Sequence, residues 1–191
     1  MSTGLQRQGR LLPDYLHREA LEILPALLQA LAIKRPLLLG HSDGGSIALL
    51  HAANFCVSGC IVMAPHVMVE DMSTQAIAQA REAFQNGWLR ERLMAYHADV
   101  DCAFWQWNDV WLSEAFRGFD IRSELAAIKD PLLAIQGTED TYGSMAQIDD
   151  IAAHVPHARL LKIPHCGHSP HRDQPETVMH AIRAFLATIK P

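Results

Sequence analysis

The chain has 191 residues, 49% of them hydrophobic and 19% charged, with a formal net charge of −5. That composition suits one soluble globular domain and excludes a disordered chain, because no polar tract is long enough. No apolar run approaches the roughly 18–20 residues of a membrane span. The first twenty residues show no basic region followed by an apolar stretch, and the 16 Lys and Arg are scattered, so neither a leader nor a nucleic-acid footprint is expected.

In chain order, residues 1–12 read as a loose arm with Gly4 and Gly9. Asp14 is placed to cap a helix running to about Leu31, whose Leu16, Ala20, Ile23, Leu27 and Leu31 form one helical stripe. Pro25 lies inside that stripe and is expected to kink or restart it. Leu37-Leu38-Leu39 is a short, wholly apolar run, the mark of a strand covered on both faces. Gly44 to Asn54 reads as a buried helix with Ile47 and Leu50 inside, and Cys60 to Ala64 as a second apolar strand.

From residue 65 to 129 the texture is helical. One helix starts at Ser73 and ends at Gly87, and another spans Leu89 to Tyr96. A third is capped by Asp99 and carries Val100, Phe104, Trp107 and Trp111 at helical spacing. Strand signals return at Pro131–Gln136 and Arg159–Ile163, with helical segments around Ser144–His154 and Glu176–Thr188. Strands alternating with helices predict an α/β fold with a parallel, doubly wound sheet of about four strands. The helical stretch 66–128 is expected to be an insertion on top of a core made of residues 1–65 and 129–191.

Four cysteines, Cys56, Cys60, Cys102 and Cys166, are too few for a disulfide framework and read as reduced thiols in a cytoplasmic protein. Cys56 and Cys60 lack the two-residue spacing of common zinc or redox pairs. His165, His168 and His171 crowd into seven residues, but Gly167 and Pro170 break the helix that would put them on one face, so no metal is assigned.

The chemistry sits at Gly40-His41-Ser42-Asp43-Gly44, a G-x-S-x-G pattern between an apolar strand and a helix. A serine on a sharp strand-to-helix turn has its hydroxyl exposed, and small residues two before and two after keep the neighbouring strand and helix clear. The backbone N–H of Asp43, at the helix start, can donate to a developing oxyanion. A serine hydroxyl needs a base, and the base an orienting acid, in the order serine, acid, histidine. Asp140 follows the third strand 98 residues after Ser42, and His168 follows the fourth after a further 28 residues. Asp140 would hold the imidazole tautomer, and His168 would take the serine proton and return it to the leaving group. Glu139, His165 and His171 are the rivals. His41 either lines the site or is structural, and Phe104, Trp107 and Trp111 either wall an apolar pocket or form the insertion's core. The mechanism requires no metal or organic cofactor.

With these residues in this order, the chain resembles the α/β-hydrolase superfamily from about Asp14 onward. Segments such as GHSDGGSIALL and HCGHSPHRDQP are similar to a bacterial esterase-like subgroup related to the meta-cleavage-product hydrolases and carboxylesterases. The resemblance implies a Ser42-His168-Asp140 triad, a small ester or related acyl substrate and a helical cap at 66–128. It also implies strands ahead of the elbow, with an HG-type turn supplying a second oxyanion donor, and the 41 residues before Ser42 hold only one helix. The chain therefore reads as the carboxyl-terminal part of that fold. Two expectations follow. The strand Leu37–Gly40 has a bare edge that invites pairing with a second copy, and one missing donor lowers turnover by about 10²–10³. The other readings are a binding or assembly protein on a hydrolase scaffold, and a shortened piece of a longer hydrolase.

Overall fold

A computed structural model describes residues 11–189, so most of the amino-terminal arm lies outside the described residues. Asp14 precedes α1 (Tyr15–Arg18) at the capping position, but its side chain makes no cap hydrogen bond. The helix then widens into a π-helical stretch, Glu19–Ile23, before α2 (Leu24–Ala30). The widening comes directly before Pro25, which has no N–H to give to the preceding turn. The expected stripe divides there. Leu16 and Ala20 are buried, whereas Ile23, Leu27 and Leu31 are exposed.

Next come β1 (Leu37–His41), α3 (Asp43–Asn54) and β2 (Gly59–Met63). The long helical excursion holds α4 (Asp71–Gln85), α5 (Trp88–Met94), α6 (Val100–Trp111), a 3-10 turn and α7 (Arg122–Leu125). The chain closes with β3 (Leu132–Gly137), α8 (Ala146–His154), β4 (Arg159–Ile163), α9 (Pro170–Asp173) and α10 (Pro175–Leu186).

The four strands form one parallel sheet in the order β1-β2-β3-β4, with Gly40 opposite Val62, Val62 opposite Ala134 and Ala134 opposite Leu160. The central strands are buried on both faces, as a parallel sheet requires. Cys60, Val62, Leu132 and Ala134 join a cluster with Leu49 of α3 and Ile148 of α8. Ile61, Met63, Leu133 and Ile135 alternate to the other face, against Val178, Ile182 and Phe185 of α10. This is the expected double winding.

The expectation that Leu37-Leu38-Leu39 is covered on both faces is corrected. Leu38 packs on the core, but Leu37 and Leu39 are 45% and 56% exposed. Among the described residues β1 ends the sheet, and α3 covers it on the Leu38 side.

The excursion between β2 and β3 shares the main core. Ile77, Val110, Trp111, Phe116, Ile121 and Leu125 join the sheet's cluster. A second cluster of Ala80, Phe84, Val100 and Phe104 belongs to the excursion itself, with the Phe84 and Phe104 rings stacked at 3.8 Å. Asp99 caps α6 by accepting from the Cys102 N–H at 2.9 Å, and Gly87, at φ +93°, ends α4 as its position suggested. The ends of the excursion meet where the Ile121 N–H donates to the Val67 carbonyl at 2.8 Å. Gln147 of α8 clamps its start, its Oε1 accepting from the Val67 N–H at 2.7 Å while its Nε2 donates to Glu70 at 2.7 Å.

Candidate active site

The carboxyl ends of all four strands converge, the edge where parallel α/β sheets hold ligands. Each strand contributes one residue just beyond its end: Ser42, His66, Asp140 and His168. Ser42 has φ +54° and ψ −124°, a conformation an L-residue rarely adopts, and its N–H donates to the Met63 carbonyl at 2.9 Å. Such backbone strain costs about 1–3 kcal/mol and persists only where its surroundings enforce it.

Of the two glycines that flank Ser42 at the expected spacing, only Gly40 is sterically required. A β-carbon at Gly40 would overlap the backbone of Gly44 and Gly45, but one at Gly44 would meet nothing within 4 Å. The helix-side constraint falls instead on Gly45, where a β-carbon would stand 3.0 Å from that of Pro65.

His168 Nε2 lies 3.0 Å from Ser42 Oγ, and its Nδ1 lies 2.9 Å from both oxygens of Asp140. Asp140 also accepts from Gln136 Nε2 at 2.9 Å and from the Tyr142 N–H at 2.8 Å. A carboxylate so surrounded by donors favours the imidazole tautomer with hydrogen on Nδ1, leaving the Nε2 lone pair toward the serine hydroxyl. Gly137 brings the two loops together, because its backbone runs against that of Cys166 and Gly167, and the Glu139 N–H donates to the Cys166 carbonyl at 2.9 Å. Gly167 in turn donates to Asp173 at 2.9 Å.

The rival residues have other partners. His165 pairs with Glu139 at 2.9 Å on the exposed surface. His171 packs edge-on against His41 at 4.9 Å. The three histidines of the 165–171 segment therefore diverge to three sets of partners. Asp149 and Asp150 form surface ion pairs with Lys162 and Arg122, and Asp130 accepts from the Val57 N–H at 2.9 Å. His41 Nε2 lies 2.6 Å from the His168 carbonyl oxygen, so its N–H steadies the backbone of that loop.

A cavity of about 340 Å³ opens above Ser42, lined by His41, Asp43, His66, Trp107, Trp111, Tyr142 and His168 among others. Three of the pocket residues expected from sequence, His41, Trp107 and Trp111, stand in its wall. Phe104 does not; it lines a neighbouring cavity. Asp43, whose N–H opens α3, turns its side chain away to a buried group. Tyr15 Oη donates to its Oδ2 at 2.5 Å, and Trp111 Nε1 donates to Tyr15 Oη at 3.0 Å. Its Oδ1 is buried with no hydrogen-bond partner. Burial pushes this carboxyl above the usual carboxylate range, against the opposing pull of the Tyr15 and Trp111 donors. Burial and the adjacent Asp43 push the Tyr15 hydroxyl up as well.

His66 was not singled out from sequence. Its ring stands 5.9 Å from that of His168 and edge-on to Trp111 at 4.8 Å, with Nδ1 buried and unpartnered. Burial pushes its imidazole down to about 3, and burial also lowers His41. The signal for His66 was available in its place three residues beyond the second strand, on the same sheet edge as Ser42. Tyr142 was likewise predictable from an Asx turn, in which the Asp140 side chain accepts from the N–H two residues on. Its ring lies 4.7 Å from that of His168.

Comparison with known proteins agrees with this architecture. A model of the alpha/beta hydrolase family matches residues 4–181. A segment of 66 residues is 40% identical to a pimeloyl-[acyl-carrier protein] methyl ester esterase of Nitrosomonas europaea, covering 35% of this chain and 26% of that protein. The sn-1-specific diacylglycerol lipase ABHD11 of Mus musculus is 22% identical over 204 aligned positions, covering 92% of this chain and 66% of that protein. The chain thus spans about a quarter of the first of these relatives and about two thirds of the second. Among solved structures, a carboxylesterase from the thaumarchaeon Nitrososphaera gargenis superposes with a TM-score of 0.71 at 19% identity, over 96% of this chain and 74% of that one. By the family model that covers nearly its whole length, the chain belongs to the α/β-hydrolase family.

Proposed function

We propose that this protein is a serine hydrolase that cleaves a small carboxylic ester through an acyl-enzyme. The observation that carries this reading is the unbroken hydrogen-bonded line Ser42 Oγ, His168 Nε2, His168 Nδ1, Asp140. His168 takes the Ser42 proton as Oγ attacks the ester carbonyl, and the Asp43 N–H at the start of α3 donates to the oxyanion. His168 then gives the proton to the departing alcohol. Water, activated by the same imidazole, releases the acid and restores Ser42. Asp140 accepts the Nδ1–H of His168 and stabilises the imidazolium.

The test is labelling by a fluorophosphonate probe alongside hydrolysis of p-nitrophenyl acetate. The folded wild-type chain is expected to be labelled on Ser42, and Ser42→Ala to lose both label and turnover. A folded chain that takes no label is a binding or assembly protein on a hydrolase scaffold.

The partner in this reading is a small ester, together with a second copy of the chain across β1. Leu37 and Leu39 are exposed on β1, which has no second neighbouring strand among the described residues, and such edges attract strands from other chains. Sedimentation velocity is expected to show concentration-dependent association that Leu39→Lys weakens. A monomer at every concentration removes the pairing.

A further inference from the structure

Next to the cavity above Ser42 lies a second one of about 360 Å³, partly open to solvent and lined mainly by the helices of the excursion. The two share Trp107 and Tyr142 in their walls. They differ in chemistry. The first is lined by three imidazoles, the serine and the Asp43 carboxyl, and two of its lining residues carry buried polar atoms without a partner. The second is lined by Leu89 and Leu93 of α5, Ala80 of α4, and Ala103 and Phe104 of α6, with the exposed His97 as its one imidazole and no carboxylate, lysine or arginine.

Its volume is roughly a dozen times the share of one water in the liquid, about 30 Å³. An apolar chamber of this size gains from hydrocarbon and offers a polar group little compensation. The shared wall is held from both sides. The carbonyl of Tyr142 accepts from Ser73 Oγ of α4 at 2.5 Å, while Trp107 packs against Phe104 with ring centroids 5.8 Å apart. Resting on the ester-hydrolase reading above, we infer that the substrate is an ester in two parts. Its scissile carbonyl lies in the polar cavity at Ser42, and a hydrocarbon arm of several carbons passes Trp107 and Tyr142 into the apolar cavity between α4, α5 and α6.

Helix α5 forms the roof of the second cavity. Leu89 and Leu93 face inward, whereas Trp88 and Met94 are exposed, and no residue of α5 is fully buried. A roof held by two leucines can be reshaped without dismantling the core beneath it, which makes chain-length preference adjustable from this helix. The arm belongs either to the acyl group or to the alcohol, and two substrate series separate these sources.

The experiment measures kcat/KM for p-nitrophenyl esters from acetate to decanoate, and for ethyl to octyl acetates. It uses wild type, Ala103→Phe, which fills the cavity, and Leu93→Ala, which enlarges it. Along one series, wild-type kcat/KM is expected to rise about three- to fourfold per methylene until the cavity is full. Ala103→Phe lowers the octanoate-to-acetate ratio, or its octyl-to-ethyl equivalent, at least tenfold, and Leu93→Ala moves the optimum to longer chains. Flat profiles in both series, or a ratio unchanged in both variants, overturn the inference. Calorimetric binding of octan-1-ol reads the same cavity without catalysis. Binding to wild type that Ala103→Phe abolishes supports the chamber even if Ser42 takes no fluorophosphonate, whereas no binding to wild type overturns it. If Ala103→Phe does not fold, Leu93→Ala decides both measurements.

Discussion

The backbone of Gly137, at the end of β3, runs directly against the carbonyl of Cys166, in the loop after β4. Three residues beyond Gly137 stands Asp140, and two beyond Cys166 stands His168. The close approach of these two backbones sets the Asp140–His168 separation of 2.9 Å. Gly137→Ala is therefore expected to force the loops apart and to remove activity at least a hundredfold, or to prevent folding. Gly44→Ala is the contrasting variant, since its added methyl meets nothing within 4 Å. Alanine in a helix is favoured over glycine by about 0.5–1 kcal/mol, so Gly44→Ala is expected to keep activity and raise Tm. Thermal melts and p-nitrophenyl acetate turnover check both, and an active, stable Gly137→Ala defeats the account.

Asp140→Asn separates orientation from shape. The amide is nearly isosteric, but a carboxylate that accepts from Gln136, Tyr142 and His168 together is replaced by a group with one acceptor oxygen and two donors. The donor–donor conflict turns His168 to the wrong tautomer, and kcat is expected to fall by about four orders of magnitude. Circular dichroism should show a folded chain. Retention of more than a tenth of wild-type kcat contradicts the assignment of Asp140.

His66 links stability to pH with a definite sign. Its folded value is about 3, against 6.5 for the unconstrained imidazole, so between those limits the unfolded chain binds the extra proton. Stability from this site is complete above about pH 6.5 and is lost as pH falls toward 3, by a few kcal/mol at most. The raised Asp43 carboxyl acts with the opposite sign, since its folded form holds a proton that the unfolded form has released. His66→Phe isolates the first effect. Urea unfolding midpoints for wild type should decline faster than those of the variant between pH 6.5 and 4.5, and parallel declines would remove the linkage.

Tyr15 tests the buried group behind the elbow. Tyr15→Phe takes the short donor from Asp43 Oδ2 and the nearer acceptor from Trp111 Nε1, leaving only the long 3.4 Å Trp111–Asp43 bond beside an Oδ1 that is already unpartnered. Orphaned buried polar groups cost about 1–3 kcal/mol, so a fall of that size in unfolding free energy is expected. Because the Asp43 N–H opens the helix beside Ser42, the proposed nucleophile, kcat is expected to fall more than KM rises. An unchanged kcat in a destabilised variant would confine Tyr15 to a structural role.

Much of this organisation was legible locally. Apolar runs of strand length at Leu37, Cys60, Leu132 and Arg159 became the four strands, because period and burial are properties of a few consecutive residues. Ser42, Asp140 and His168 were marked by turn chemistry just past strand ends, which is also local. The reading failed where the outcome depended on what stands opposite. Leu37 and Leu39 looked like interior residues from their own side chains, but coverage of a strand is supplied by other elements. Gly44 looked sterically required from its spacing, but Gly45 is the one that faces Pro65.

The sequence by itself determined the parallel α/β class, the family and the order serine, acid, histidine, since each is written in short-range pattern and spacing. Tertiary structure alone decided which of the clustered histidines turns to Ser42, that His66 and Tyr142 join the site, and that Phe104 lines a second chamber rather than the first. Those outcomes depend on backbones far apart in the chain passing within van der Waals contact, as Gly137 and Cys166 do, and on which side chains the packing then cuts off from water. What the composition first described as one globular domain of 191 residues is, in three dimensions, a four-strand platform with β1 and β4 outermost among the described residues and helices over two cavities of unlike chemistry.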